Sequence, residues 1–473
     1  LVNDPVNENG EFAMKKRVKA SRYNHIVTGQ DGDVLGFNAM SCGLGSIDPD
    51  KRDRFAQMTA SREPFEIDSE DEFCKELFRG GFLIPEDLDE LSSIRAAHYS
   101  ARFSEQSTGM TIIPTLNCNF ACDYCYEDSS VHVSKDPSKR AMSEEVQDNL
   151  VELAESRIKE NSVFTVTWYG GEPLLRLDII ESLSKRFKEI CERKQSRYFA
   201  GIITNGYLLT PRTAVILAQN GVKFCQVTLD GVKAVHDSRR PLRGGSGTFD
   251  RIVENVTAVS EQTDLTLSIR INADNRNSSS ISELLCDLRK RGLHDREKVN
   301  IYFGQVLEYS NSCRDTPDFC MANEEFADFQ VVAYRKALEL DFRISTYPFA
   351  NLGNCGAVKS VASIIEPSGD VHNCWNTVGR HDMRTGDLTH EGVDATRNSI
   401  NWLGWTPFAV KCNDCEVLPV CMGGCPYRSL FGADENGGDN GTCIWWKFNL
   451  RKMLELFSEA QKRGKLAVSQ RKR

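Results

Sequence analysis

Cys118-Asn-Phe-Ala-Cys122-Asp-Tyr-Cys125 sets three thiols in one short loop, directly after the apolar run Thr111-Ile-Ile-Pro-Thr-Leu-Asn117. The run reads as a buried strand, so the thiols lie at its C-terminal end. Three thiolates this close can hold three irons of a cubane iron–sulfur cluster and leave the fourth without a protein ligand. Such an iron can bind a small molecule and pass it an electron. Three unrelated thiols, or a zinc site, are the alternatives. Zinc favours paired CxxC knuckles and four ligands.

The surrounding chain has 473 residues, length for roughly two to four domains, with 40% hydrophobic and 9% aromatic residues, ordinary for a globular protein. It has no run of about 18 apolar residues and no apolar signal-peptide core, so no membrane partner and a cytoplasmic location are expected. A net charge of −9 argues against nucleic-acid binding. Seventeen cysteines are the outlier; in a reducing compartment they indicate metal or redox chemistry rather than disulfides. Ten fall in two groups, 118–125 and 355–443. The other seven, including Cys313 and Cys320, are scattered and read mostly as small buried hydrophobes.

Residues 1–22 are polar and basic and read as a disordered lead-in. In residues 23–107, strand-like runs flank Gln30-Asp-Gly32, a hairpin signal. Helices are predicted over 70–78 and from 86 to about 97, separated by the Gly80-Gly81 stop and a short strand at 82–84. This is a small α+β domain, and its acidic runs argue against a DNA-reading role.

Residues 108–345 alternate strand and helix. Strands are predicted at 163–169, 199–204, 223–229, 265–271 and 299–306, with helices at 143–160, 178–193, 213–219, 249–260, 280–291 and 326–340. With the strand before Cys118 these make six units, which right-handed crossovers wind into a parallel partial barrel, a TIM-like (β/α)6 fold. Cys118, Gly170-Gly171-Glu172-Pro173, Thr204-Asn205-Gly206, Thr228-Leu-Asp230-Gly231 and Arg270-Ile-Asn272 follow or close successive strands. Polar and glycine-rich groups at five strand ends make one rim and one site. Glycine there lets backbone approach a ligand closely. His236-Asp237 invites a general-base role, but loop architecture is the simpler reading.

Residues 346–450 hold Cys355, Cys374, Cys412, Cys415, Cys421, Cys425 and Cys443; a zinc ribbon is the alternative to iron–sulfur. Trp402, Trp405, Trp445 and Trp446 read as packing around this region. Residues 451–473 form a docking helix and a basic tail.

The 118–125 stretch resembles the radical S-adenosylmethionine (SAM) signature CxxxCxΦC, with Tyr124 as the aromatic. The resemblance implies that Cys118, Cys122 and Cys125 hold a [4Fe–4S] cluster whose open iron is chelated by SAM. One electron then cleaves SAM to methionine and a 5′-deoxyadenosyl radical, which abstracts a substrate hydrogen. It also implies that Tyr124 lies near the adenine and that Gly170, Gly171 and Glu172 serve the methionyl amino group. Thr228, and Arg270 with Asn272, would hold the ribose or carboxylate, with Asn205 at the rim.

The second cysteine group is similar to the seven-cysteine SPASM pattern. That resemblance implies two auxiliary [4Fe–4S] clusters, one on Cys412, Cys415, Cys421 and Cys443, the other on Cys355, Cys374 and Cys425. Seven thiolates are one short of eight. Sulfatase-maturing relatives carry an extra cysteine just before the first SPASM cysteine; residues 347–354 here have none. Either Cys313 or Cys320 reaches in, or one iron stays open to a substrate thiolate. Those relatives also place an aspartate base where this chain has Trp375, which disfavours formylglycine formation.

The N-terminal domain resembles winged-helix-like elements that bind the leader of a ribosomally made peptide by strand addition; a cap packed on the barrel is the alternative. The expected function is a radical SAM maturase crosslinking a precursor peptide, with a thioether as first product. Carbon–carbon or carbon–oxygen cyclophane formation, epimerisation, and radical modification of a protein or small molecule are alternatives. A metal-binding adaptor is the non-enzymatic one, disfavoured by the rim motifs. The expected electron donor is a flavodoxin or ferredoxin.

Overall fold

The computed structural model describes residues 15–29, 32–68, 70–125, 140–307, 319–388, 396–408, 410–432 and 442–467. Ahead of the barrel lie short strands β1 (Lys15–Ala20), β2 (Asn24–Thr28), β3 (Val34–Asn38), β4 (Leu44–Ile47), β5 (Phe65–Asp68) and β6 (Leu83–Pro85). β1 is the middle strand of an antiparallel sheet between β5 and β6, while β2, β3 and β4 form a meander. The expected disordered lead-in is therefore corrected from residue 15 onward. Val18 and Ala20 alternate inward, fully buried, while Lys16 lies over the Phe78 ring and Lys19 donates to the Glu86 carbonyl. Basic side chains whose stems lie along apolar surface hid a period-two strand.

Helices Arg52–Ala60 and Glu72–Arg79 cover this sheet through Phe55, Phe73 and Leu77. The Asp71 side chain caps the second, accepting from the Phe73 and Cys74 amides, as helix N-termini require. The next helix begins at Glu90, later than expected, because Asp89 caps it there, and it runs on to Arg102.

Strands β7 (Ser107–Ile112), β8 (Val163–Trp168), β9 (Arg197–Thr204), β10 (Val222–Thr228), β11 (Thr266–Ala273) and β12 (Val299–Gln305) follow one another in parallel, in chain order. Helices join them in the predicted places, from Glu144–Arg157 to Asn323–Glu339. Phe164, Val166 and Trp168, with Ile269, Ile271, Ile301 and Phe303, form the buried layer beneath these helices. The alternate positions line the other face, where Phe199 and Phe224 remain 39% exposed. β7 ends at Ile112, so residues 113–117 are a loop rather than the tail of a strand. Pro114 interrupts the run, as proline does inside a sheet.

The cysteine-rich region is not a separate bead. β13 (Ala362–Ile365) lies parallel to β7, and β14 (Asp370–His372) and β15 (Gly386–Asp387) extend the same sheet antiparallel. The C-terminal helix Trp446–Lys462 buries Leu450, Met453, Leu454 and Phe457 and packs on helix Asn323–Glu339 and on β2. No helix among the described residues is long and apolar enough to cross a membrane.

Arg102 joins the N-terminal helix to this region. Its side chain, 1% exposed, donates to the carbonyls of Val358, Trp402, Leu403 and Trp405. Three of these carbonyls close the C-terminus of helix Arg397–Gly404, where a cation is favoured. Replacing Arg102 by Ala removes four hydrogen bonds, three of them buried. It should lower stability by more than about 3 kcal/mol in urea titrations, with Arg102→Lys recovering only part.

Candidate functional site

The loop bearing Cys118, Cys122 and Cys125 is held on two sides. On one, the end of β8 presses against residues 113–117. A Cβ on Gly170 would lie 2.5 Å from the Thr115 carbonyl, and one on Gly171 would lie 2.4 Å from those of Leu116 and Asn117. The Glu172 amide donates to the Asn117 carbonyl at 2.9 Å. The close approach that these glycines permit here is thus to the backbone of the cysteine-bearing loop. The Glu172 side chain is fully buried within the wall. It accepts from Leu174 N, Thr204 Oγ1 and Asn205 N. Burial raises its carboxyl above the usual range against the pull of these donors. Asn205 in turn donates to Asn119 Oδ1 at 2.8 Å.

On the other side, residues 239–243 run antiparallel to residues 119–123. Arg243 N bonds to Asn119 O at 3.0 Å, Ala121 N to Pro241 O at 2.9 Å and Asp123 N to Arg239 O at 3.3 Å. Phe120 and Leu242 form a bridge, and Arg243 Nε donates to the Cys118 carbonyl at 2.7 Å. This strap follows a helix, Lys233–Arg239, where sequence reasoning had only a loop. Its His-Asp pair is architectural. His236 Nδ1 accepts from Asp230 N, its Nε2 meets Thr248 Oγ1, and Asp237 Oδ1 accepts from the amides of Thr248 and Phe249 at the start of the next helix.

Two of the rim residues, Asp230 and Asn272, meet at Tyr124. Its hydroxyl donates to Asp230 Oδ2 and accepts from Arg240 Nη1 at 2.6 Å and Asn272 Nδ2 at 3.1 Å. The Arg239 guanidinium lies 4.7 Å from its ring centroid, a favourable cation–π distance. Asn272 Oδ1 accepts from Arg270 Nε, and Thr228 is paired in register with Arg270. Gly304 on β12 leaves room for that guanidinium, since a Cβ there would lie 2.6 Å from it. Arg240, Asn119 and Gly304 were not singled out from sequence, and Asp230 was quoted there without a role. Asp230 sits in the Leu-Asp-Gly motif, the only signal that marked it.

Trp375 reaches the rim from the cysteine-rich region. Its ring stands perpendicular to that of Tyr169, with centroids 4.5 Å apart, and Tyr169 feels the charges of Cys118, Cys125 and Arg270. Cys355, Cys374 and Cys425 share an apolar pocket with Trp402, Trp405 and Tyr427, close enough to influence one another electrostatically. Cys421 feels Cys412, Cys415 and Cys443 in the same way. Gly424, at φ +76°, packs its Cα against the Thr442 carbonyl and so brings residue 425 beside 443. Burial raises the Cys374 thiol well above its usual range and the Cys421 thiol to about 11.

Sulfur-only donor sets in apolar pockets, where a bound metal would offset the cost of the thiolates, fit iron–sulfur ligation. Cys313 lies outside the described residues; Cys320 is half-buried. Cys42, one of the scattered cysteines, lies against residues 347–350, its Sγ accepting from Ala350 N at 2.9 Å.

His236 has a consequence for stability. Burial, with help from Arg240, lowers its pKa to about 4, so the folded protein keeps it neutral while the unfolded chain protonates near its ordinary value. The stability it contributes is complete above about pH 6.5 and is lost as pH falls toward 4, roughly 3 kcal/mol in all. Melting temperatures should decline through that window, and His236→Gln should flatten the decline.

Comparison with known proteins adds to this geometry. Residues 112–271 match the model of the radical SAM superfamily. The chain is 23% identical over 366 residues to a serine-type anaerobic sulfatase-maturating enzyme of Bacteroides thetaiotaomicron, covering 69% of this chain and 84% of that protein. It is 23% identical over 475 residues to the radical SAM cyclopropyl synthase TigE of Paramaledivibacter caminithermalis, covering 92% and 95%. Its fold is similar to that of anSMEcpe with bound AdoMet, at a TM-score of 0.56 and 18% identity, over 76% of this chain and 97% of that one. Residues 112–271 are a radical SAM domain, which implies a [4Fe–4S] cluster and SAM, and a chain that carries this domain is an enzyme.

Proposed function

We propose that the chain is a radical SAM–SPASM maturase that crosslinks a ribosomally made precursor peptide, with a thioether as first product. The observation that carries this reading is the sorting of ten cysteines into three sulfur sets, one on the barrel rim and two in the adjoining pockets. Cys118, Cys122 and Cys125 would hold the SAM-binding cluster. Cys412, Cys415, Cys421 and Cys443 would hold one auxiliary cluster, and Cys355, Cys374 and Cys425 the other, which lacks a fourth cysteine from the adjoining segment. When bound, the rim cluster and SAM supply a 5′-deoxyadenosyl radical by one-electron cleavage.

The chain's own residues orient and exclude. Tyr124 and the backbone at Gly170, Gly171 and Glu172 border the SAM position. Arg270, already turned by Asn272 and Tyr302, is the cation for a carboxylate, with Thr228 and Asn205 beside it. The Trp375–Tyr169 pair closes the rim toward the auxiliary pockets and shields the radical from water. Trp375 stands where sulfatase-maturing relatives carry an aspartate base, which disfavours formylglycine formation. Beneath Arg270, a cavity of about 560 Å³ lined by Phe224, Ser268, Asn300, Tyr302 and Trp446 is large enough for a peptide side chain. The outer strands β5 and β6 offer edges for a leader peptide. A low-potential flavodoxin or ferredoxin would supply the electron. A second reading, formation of a cyclopropyl group, is favoured by the likeness to the cyclopropyl synthase across 92% of this chain.

The test is anaerobic incubation of the reconstituted protein with SAM, dithionite and the short peptide encoded beside its gene. The expected products are 5′-deoxyadenosine and a peptide lighter by one dihydrogen. Cys122→Ala should abolish both, whereas Cys425→Ala should retain more SAM cleavage than peptide product. SAM cleavage with the peptide neither bound nor altered would refute the substrate assignment.

A further inference from the structure

Four arginines surround the loop that holds Cys118, Cys122 and Cys125, and three have other engagements. Arg239 pairs with Asp274 at 2.8 Å. Arg276 pairs with Asp123 at 2.8 Å and Asp274 at 2.9 Å. Arg243, on the exposed side, donates to the Cys118 carbonyl. Arg240 differs. It is 8% exposed, and among the described residues no carboxylate lies within salt-bridge distance of it. Its Nη1 donates to the Tyr124 hydroxyl at 2.6 Å, its guanidinium lies 5.8 Å from the Phe120 ring centroid, and its Nε has no hydrogen-bond partner. The negative groups that act on it are Cys122 and, through the Tyr124 hydroxyl that bridges them, Asp230. A buried cation with a free donor, held between two residues of a thiolate loop, has the negative charge of that loop as its counterpart.

We propose that Arg240 sets the reduction potential of the cluster held by Cys118, Cys122 and Cys125, an inference that rests on the radical SAM reading of this loop. The couple is one electron, donated by an external low-potential reductant and accepted by the cluster, which gains one negative charge. A fixed positive charge in a site of low dielectric stabilises the reduced form more than the oxidised form, so Arg240 raises the potential. Arg240 acts through charge and does not touch the reacting atoms. The strap delivers it, because Pro241 O and Arg239 O, on either side, are bonded to the cluster loop.

The test is a dithionite redox titration of the full-length reconstituted protein. It follows the electron paramagnetic resonance signal that changes on adding SAM, which isolates this cluster from any other. Arg240→Gln should lower the one-electron reduction constant about tenfold, a fall of about 59 mV. Arg240→Lys, which keeps the charge, should stay within threefold of wild type. An unchanged potential in Arg240→Gln at full iron loading overturns the proposal. Equal shifts in the Gln and Lys variants also overturn it, because the effect would then be structural. If Arg240→Gln fails to load the cluster, the Lys variant decides: near-wild-type potential supports the proposal and a tenfold shift refutes it. A wild-type protein showing no SAM-sensitive signal would instead refute the underlying reading.

Discussion

The rim depends on a short antiparallel pairing between residues 119–123 and 239–243, segments brought together from the first and fourth strand–helix units. A loop proposed to present three thiols to one inorganic core cannot wander, yet loops are ordinarily the mobile part of a barrel. Here the loop gains ladder-type hydrogen bonds from the strap on one face and from the Gly170–Glu172 backbone on the other. His236 and Asp237 anchor the strap, and Glu172 anchors the wall. The buried polar groups around the rim are therefore partners of one another, as low dielectric demands.

A second constraint brings the auxiliary thiols to the barrel. β13 pairs with β7, the strand that leads to Cys118, so the two cysteine regions share one sheet rather than a linker. Cys374 lies just beyond β14 in that extension, and the Trp375 ring reaches Tyr169 at the rim. Arg102 ties the N-terminal helix to the same region.

Much of the barrel was legible because its signals are periodic. Alternating apolar residues marked the strands, and glycines such as Gly221 and Gly292, both at positive φ, marked where helices stop. The cysteine spacings carried the resemblance from which the sulfur sets are proposed. What escaped had no such pattern. β1 was masked by lysines whose stems lie on apolar surface, and β13 by its four-residue length in a cysteine-rich stretch. The strap has turn-like composition, and its pairing is a long-range backbone event that side-chain pattern cannot report. Glu172 reads as a rim residue in a motif but is buried beside Thr204, a relation visible only once β8 and β9 are adjacent. Asp230 and Arg240 carry charge without spacing, and only the fold shows that both meet at Tyr124.

We propose three cubane clusters per chain rather than one. Iron and acid-labile sulfide, measured on the anaerobically reconstituted full-length protein, test it most directly. The account predicts about twelve of each per chain, falling to about eight in the Cys118→Ala/Cys122→Ala/Cys125→Ala variant. About four irons per chain, or uptake of zinc by the 355–443 cysteines instead of iron, would contradict it.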